Sequence, residues 1–134
     1  MNPIIMHIQR LYGDACRLCP PLEQAQYEAA GKMLPAPLFE MLKTSNGVED
    51  LLTIPKTGET IAAGWILYPF EEICAETAAY AAIYGDDGIV FAGDGAGGAF
   101  LLKPDGTVFY KDDYYEDAKL YAESLTVFFG KWKG

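Results

Sequence analysis

Apolar residues at Ile4, Ile5, Ile8, Leu11 and Tyr12 follow the spacing of a helix with one buried stripe, and Gly13 marks its end. After Pro20-Pro21, the glutamates, glutamines and alanines from Leu22 to Ala30 predict a short helix stopped by Gly31. Pro35 and Pro37 open another helical turn, whose stripe of Leu38, Phe39, Met41 and Leu42 ends at Ser45-Asn46-Gly47, where Asn and Gly suit a left-handed cap. Residues 48–60, polar and broken by Pro55 and Gly58, read as a connecting loop with at most a short strand. A strand is expected from Ile61 to Tyr68. Pro69 then begins a helix that shares Phe70, Ile73, Cys74 and Thr77 on one face and turns Glu71, Glu72 and Glu76 to solvent. Asp86-Asp87-Gly88 turns into a strand over Ile89 to Ala92, and two more strands flank Pro104-Asp105-Gly106-Thr107. A last helix is predicted from Ala118 to Trp132, with Leu120, Tyr121, Leu125, Phe128, Phe129 and Trp132 on one broad face. Both Trp65 and Trp132 fall on apolar faces and are expected in the core. Helices, then a mainly antiparallel sheet with one inserted helix, then a helix define a single α+β domain over residues 1–134.

Between two apolar runs lies Gly93-Asp94-Gly95-Ala96-Gly97-Gly98, which satisfies the letters of the dinucleotide fingerprint G-x-G-x-x-G. That fingerprint needs a helix after it, so that a pyrophosphate can sit at the helix N-terminus. Here Phe100-Leu101-Leu102 follows, another strand. The glycines therefore belong to an antiparallel sheet, where they permit a bend, a bulge or close backbone approach. Asp94, flanked by glycines at a strand end, is placed to accept backbone N–H bonds and fix the turn.

The 134 residues include 19 carboxylates against 10 Lys and Arg, a formal charge of −9, so the long-range field repels nucleic acid and attracts basic surfaces. The same charge also serves solubility alone. No run approaches the roughly 18 to 20 apolar residues of a membrane span, and the first residues lack a secretory pattern, which together point to the cytoplasm. Three cysteines, an odd number, argue against a disulfide framework. Cys16 and Cys19 have the C-x-x-C spacing of half a zinc site or a redox pair, but only Cys74 and His7 remain as further ligands, far away in sequence; two reduced thiols are the favoured reading, with no metal and no cofactor expected.

His7 has no partner signature for general-base work, and Ser45 and Ser124 lack a nucleophile elbow. Carboxylate chemistry in a small hydrolase stays open on counts alone. Residues 112–117, Asp112, Asp113, Tyr114, Tyr115, Glu116 and Asp117, combine four carboxylates with two tyrosines, the mixture of steering charge and aromatic area that protein interfaces use. A solvated connection fits them equally well. With Asp86 and Asp87 they form the candidate partner-binding set.

Several segments in order resemble the SUKH superfamily, which includes the yeast Smi1/Knr4 regulators and many small bacterial proteins. They are Leu34-Pro35 leading to Leu38-Phe39-Glu40-Met41-Leu42 and Asn46-Gly47; Tyr68-Pro69-Phe70-Glu71-Glu72-Ile73; Phe91-Ala92-Gly93-Asp94-Gly95-Ala96-Gly97-Gly98; and Pro104-Asp105-Gly106-Thr107-Val108-Phe109-Tyr110, followed by a helix with Ser124-Leu125 and Phe128-Phe129. The likeness runs from about residue 22 to the C-terminus and leaves out the Cys16 to Cys19 segment; Gly98-Ala99 departs from it where many relatives carry a polar residue. The resemblance implies a Smi1/Knr4-like fold without catalysis and, for bacterial members, an immunity protein that binds and neutralises a toxin domain, often a nuclease, in a stoichiometric complex. A regulatory interaction module of the same fold is the alternative it leaves. Either way the expected partner is a protein, and the chain itself is expected to be monomeric or weakly associating, its oligomeric state left open.

Overall fold

The computed structural model describes residues 2–85, 87–95, 97–112 and 117–131. Helix α1 (Pro3–Tyr12) starts where Asn2 Oδ1 accepts the N–H groups of Ile4 and Ile5 at 2.9 and 3.2 Å, with Pro3 in the first turn, and stops at Gly13, whose φ of 53° few other residues adopt. Ile5 and Ile8 are its fully buried stripe. A single 3₁₀ turn leads into strand β1 (Cys16–Leu18). The Leu22 to Ala30 expectation shifts: a 3₁₀ turn at Gln24–Gln26 precedes α2 (Tyr27–Met33), which runs through Gly31. Gly31 stops nothing because its bare Cα faces the ring of Phe39, and packing outweighs helix propensity there. Helix α3 (Ala36–Thr44) buries Leu38, Met41 and Leu42 and ends at Ser45 as expected.

Asn46 is not a left-handed cap, since among the described residues only glycines have positive φ. Its side chain instead reaches forward in sequence to another helix, as described below. Residues 48–60 are not a loop. Strand β2 (Val48–Thr53) pairs antiparallel with β1 on one side and with β3 (Thr60–Leu67) on the other. Val48, Ile66 and Leu67 are buried at the base of this hairpin, while Leu52 and Ile61, directly paired, stand 55% and 42% exposed toward its tip. The hairpin therefore projects from the body, and its exposed outer half, with Leu51 next to Leu52 and Ile61 next to Ala62, carries no apolar-polar alternation to betray it. Trp65 belongs to this projecting strand and is only partly buried, outside the main core that was expected to hold it. Trp132 lies outside the described residues.

Helix α4 (Phe70–Tyr84) closes on Gly85 in the left-handed conformation, φ 67°. Strands β4 (Ile89–Gly93), β5 (Ala99–Leu102), β6 (Val108–Lys111) and β7 (Lys119–Ala122) then form a second antiparallel sheet in sequence order. Strand β7 replaces the first part of the expected last helix; α5 (Leu125–Lys131) begins only after Ser124, whose hydroxyl accepts the Val127 N–H at 3.1 Å. Leu120, expected on the buried helical face, is 60% exposed on that strand.

The chain is thus an α+β domain with two antiparallel sheets, of three and four strands, rather than one. They meet at a bulge. Register slips between Val90 and Ala92, which leaves Phe91 out of the β4 to β5 pairing, and its carbonyl accepts the Tyr68 N–H at 2.9 Å from the end of β3. Strand β5 reads as an unbroken apolar run because both its faces are covered. Phe100 and Leu102 join the main core with Phe91, Phe128 and Phe129, whereas Leu101 joins Val90 and Tyr80 beneath α4. Edge-to-face ring pairs, Phe91 with Phe128 at 5.2 Å and Phe100 with Phe128 at 4.8 Å, lock α5 onto the sheet.

Candidate functional site

The glycine stretch is the β4 to β5 turn, in an antiparallel sheet with no helix after it. Asp94 N–H donates to Gly98 O at 3.3 Å, Gly98 N–H donates back to Asp94 Oδ1 at 2.8 Å, and the Tyr110 hydroxyl donates to Asp94 Oδ2 at 2.5 Å. Gly95 and Gly97 take φ of 78° and 95°. Gly98 has no room for a side chain, because a Cβ there would overlap Asp94 Oδ2 and the Tyr110 ring. Gly93 is constrained in the same manner by the hydroxyl of Tyr68.

Other residues of the family-like pattern hold turns and junctions. Leu34 is buried before α3, and the carbonyl of Pro35 accepts the Phe39 N–H. Gly47, φ 103°, packs against Pro69, and Asn46 Oδ1 accepts the Phe70 N–H at 2.8 Å, satisfying the first turn of α4 from 24 residues away. Asp105 Oδ1 accepts the Thr107 N–H at 3.0 Å and its hydroxyl at 2.5 Å, which hold this carboxyl below the usual carboxylate range, while Gly106 supplies φ 91°.

Of the partner-binding set, Asp86, Asp113, Tyr114, Tyr115 and Glu116 lie outside the described residues. Asp87 and Asp112 do not share a patch. Ile89 pairs with Leu102 and Ala99 with Lys111, so Asp87 stands at one end of the sheet, 3.9 Å from Lys103, and Asp112 at the other. Asp117 is exposed just before β7.

Asp112 has different company. It borders a notch of about 150 Å³ between the second half of α4 and the sheet, together with Glu76, Ala79, Ile83, Tyr84 and Lys111. Ile83 is 72% and Tyr84 44% exposed, although both are apolar and adjacent. The sheet side is closed by Val90 and Ala99, and Tyr80 lies 4.8 Å from the Tyr84 ring. Lys111 is only 5% exposed; its ammonium lies 4.7 Å over the Tyr84 ring and donates to the Asp112 carbonyl at 2.6 Å. Beside this notch, burial together with Glu76, Glu72 and Asp94 raises the Tyr68 phenol above its ordinary pKa. Sequence reading missed the notch. Its only linear trace is Ile83-Tyr84 in the last turn of α4, where Tyr84 prolongs the Ile73, Thr77 and Tyr80 stripe and Ile83 stands beside it.

The cysteines are free. Cys16 opens β1 and its thiol points to the Gly13 carbonyl at 3.6 Å; Cys19 follows the strand and donates its N–H to Gly47 O and Ser45 Oγ. Three steps of extended chain span about 10 Å, too far for a disulfide. Burial raises both thiol pKa values, aided by Asp50 at Cys16 and by Glu49 at Cys19, the opposite of what a reactive thiol needs. Among the described residues no group of His, Cys, Asp and Glu is arranged to hold a metal ion. A wider cleft of about 390 Å³ lies by Pro20, Pro21, Glu23 and Glu71. His7 lies against α5 near Gly130, far from that cleft in sequence, and its Nε2 is buried without a hydrogen-bond partner among the described residues. No described helix is long and apolar enough to cross a membrane. No family model, no curated protein and no solved structure matches the chain.

Proposed function

We propose that this chain is a non-catalytic immunity protein of the SUKH type, acting in the cytoplasm by forming a 1:1 complex with a basic toxin domain of the nuclease kind. The observation that carries the reading is the face around α4: exposed Ile83 and Tyr84 beside a notch bordered by Glu76 and Asp112. Apolar area bordered by two carboxylates on a molecule of net charge −9 is a surface suited to a basic protein, since charge steers the encounter and apolar contact holds it. The SUKH reading draws further support from its motif residues, which serve here as fold determinants: Gly47 against Pro69, Asn46 on α4, Asp94 in its turn. In such a protein these positions would be kept for architecture while the binding face varies.

The test is co-expression with the nuclease-type domain of a toxin encoded beside this gene, scored for growth and for a 1:1 complex by light scattering. Rescue with a complex is the expected result; a complex without rescue would favour a regulatory interaction module, and neither would end both readings. Reversing Glu76 and Asp112 to lysine should slow association roughly tenfold at low salt and by less at high salt.

A further inference from the structure

The α4 notch has a shape and a chemistry that specify more than acid meeting base. Its apolar walls come from Ile83, Tyr80, Val90 and Ala99, and its volume of about 150 Å³, open to solvent on one side, is room for one aromatic ring and little more. At one end the Lys111 ammonium already rests on the face of Tyr84. A second aromatic ring entering there would add π-density beside that cation. The border carries two carboxylates, Glu76 on α4 and Asp112 at the end of β6. Charge complementarity therefore assigns cationic residues to the positions flanking the ring.

From these features we infer that the notch receives a single aromatic side chain from a basic protein segment, its flanking lysines or arginines lying along the Glu76 and Asp112 border. This rests on the protein-binding reading above and names the anchor that reading requires. An isolated aromatic anchor in a desolvated pocket is the usual form of a binding hot spot.

The inference is tested with two synthetic pentapeptides, four lysines around a central phenylalanine and the same peptide with a central alanine, titrated into the ¹⁵N-labelled protein. The phenylalanine peptide should bind at least about tenfold more tightly, the return expected for burying one ring. Its shifts should centre on Ala79, Ile83, Val90 and Ala99. Filling the notch with Ala79→Trp, or removing its exposed wall with Ile83→Ser, should abolish the difference between the two peptides while leaving weak binding by charge. Both substitutions are at exposed positions, and unchanged spectra elsewhere would show that the fold is intact. Equal binding of the two peptides, or shifts centred away from α4, would overturn the inference even if the toxin complex forms. Conversely, selective binding of the phenylalanine peptide with no toxin complex would leave the notch standing and remove the immunity reading.

Discussion

The hydroxyl of Tyr110 on β6 donates to the carboxylate of Asp94 across the neighbouring β5, at 2.5 Å, and this bond clamps the β4 to β5 turn onto the sheet. The second carboxylate oxygen is engaged by the Gly98 N–H at 2.8 Å, so the turn and the sheet share one acceptor group. A charge-assisted bond of this kind is among the stronger ones a side chain makes.

Removing either partner should therefore be costly. Tyr110→Phe and Asp94→Asn are each expected to lower stability by about 1–3 kcal/mol, and the double variant by less than the sum, in urea unfolding. Gly98→Ala should cost about as much for a steric reason, since its methyl group meets both members of the pair. Additive losses from Tyr110→Phe and Asp94→Asn would show that the two groups are not coupled.

Asn46→Ala should destabilise the protein by about 1 kcal/mol, the ordinary loss for a helix cap, although this residue is not adjacent to the helix it caps. Asn46→Asp should keep most of the stability because its carboxylate also accepts from Phe70 and favours a helix N-terminus. Chemical denaturation of the two variants checks this, and equal losses from both would contradict the capping role.

The pH dependence on the alkaline side should carry a contribution from Tyr68. Its phenol is raised in the folded state by burial and by Glu76, Glu72 and Asp94. A raised pKa means that the folded protein favours the neutral phenol; the stabilisation is complete below the ordinary tyrosine value of about 10 and is lost as pH rises through the higher folded value. Thermal melts should therefore fall more steeply above about pH 10 in the wild type than in Tyr68→Phe. Parallel curves would contradict the assignment.

The three thiols should all react with a disulfide reagent in the unfolded protein and react slowly in the native one at neutral pH, because burial and acidic neighbours suppress the thiolate. Mild oxidation should leave Cys16 and Cys19 unlinked. A rapid intramolecular disulfide under those conditions would place the two sulfurs far closer than the extended β1 segment permits.

Where the chain buries one clear stripe, its pattern revealed the structure: α1, α3 and α4 follow from Ile5 and Ile8, Leu38 and Leu42, Phe70 and Ile73. The turn at Asp105-Gly106 and the structural use of Asp94 were equally legible, because glycine and aspartate have local reasons to be there. Strand β2 was hidden by its own exposure, since only Val48 at its base is buried. Strand β7 was hidden by coincidence: Tyr121, Leu125 and Phe128 fit a helical spacing, and the break at Ser124 is a cap that the apolar pattern overrode. The notch was out of reach for a different reason. Its walls come from residues in α4, β4, β5 and β6 that meet only once the sheet has assembled, and Asp87, which sequence grouped with Asp112, is carried to the other end by the register.

The span from Asn46 to Phe70 has a kinetic corollary. Everything between them is the β2 and β3 hairpin, so the first turn of α4 cannot acquire its acceptor until that hairpin has closed and brought Pro69 against Gly47. Docking of the helix is thereby ordered behind a local β event, and amide protection at the start of α4 should emerge together with that of β2 rather than ahead of it.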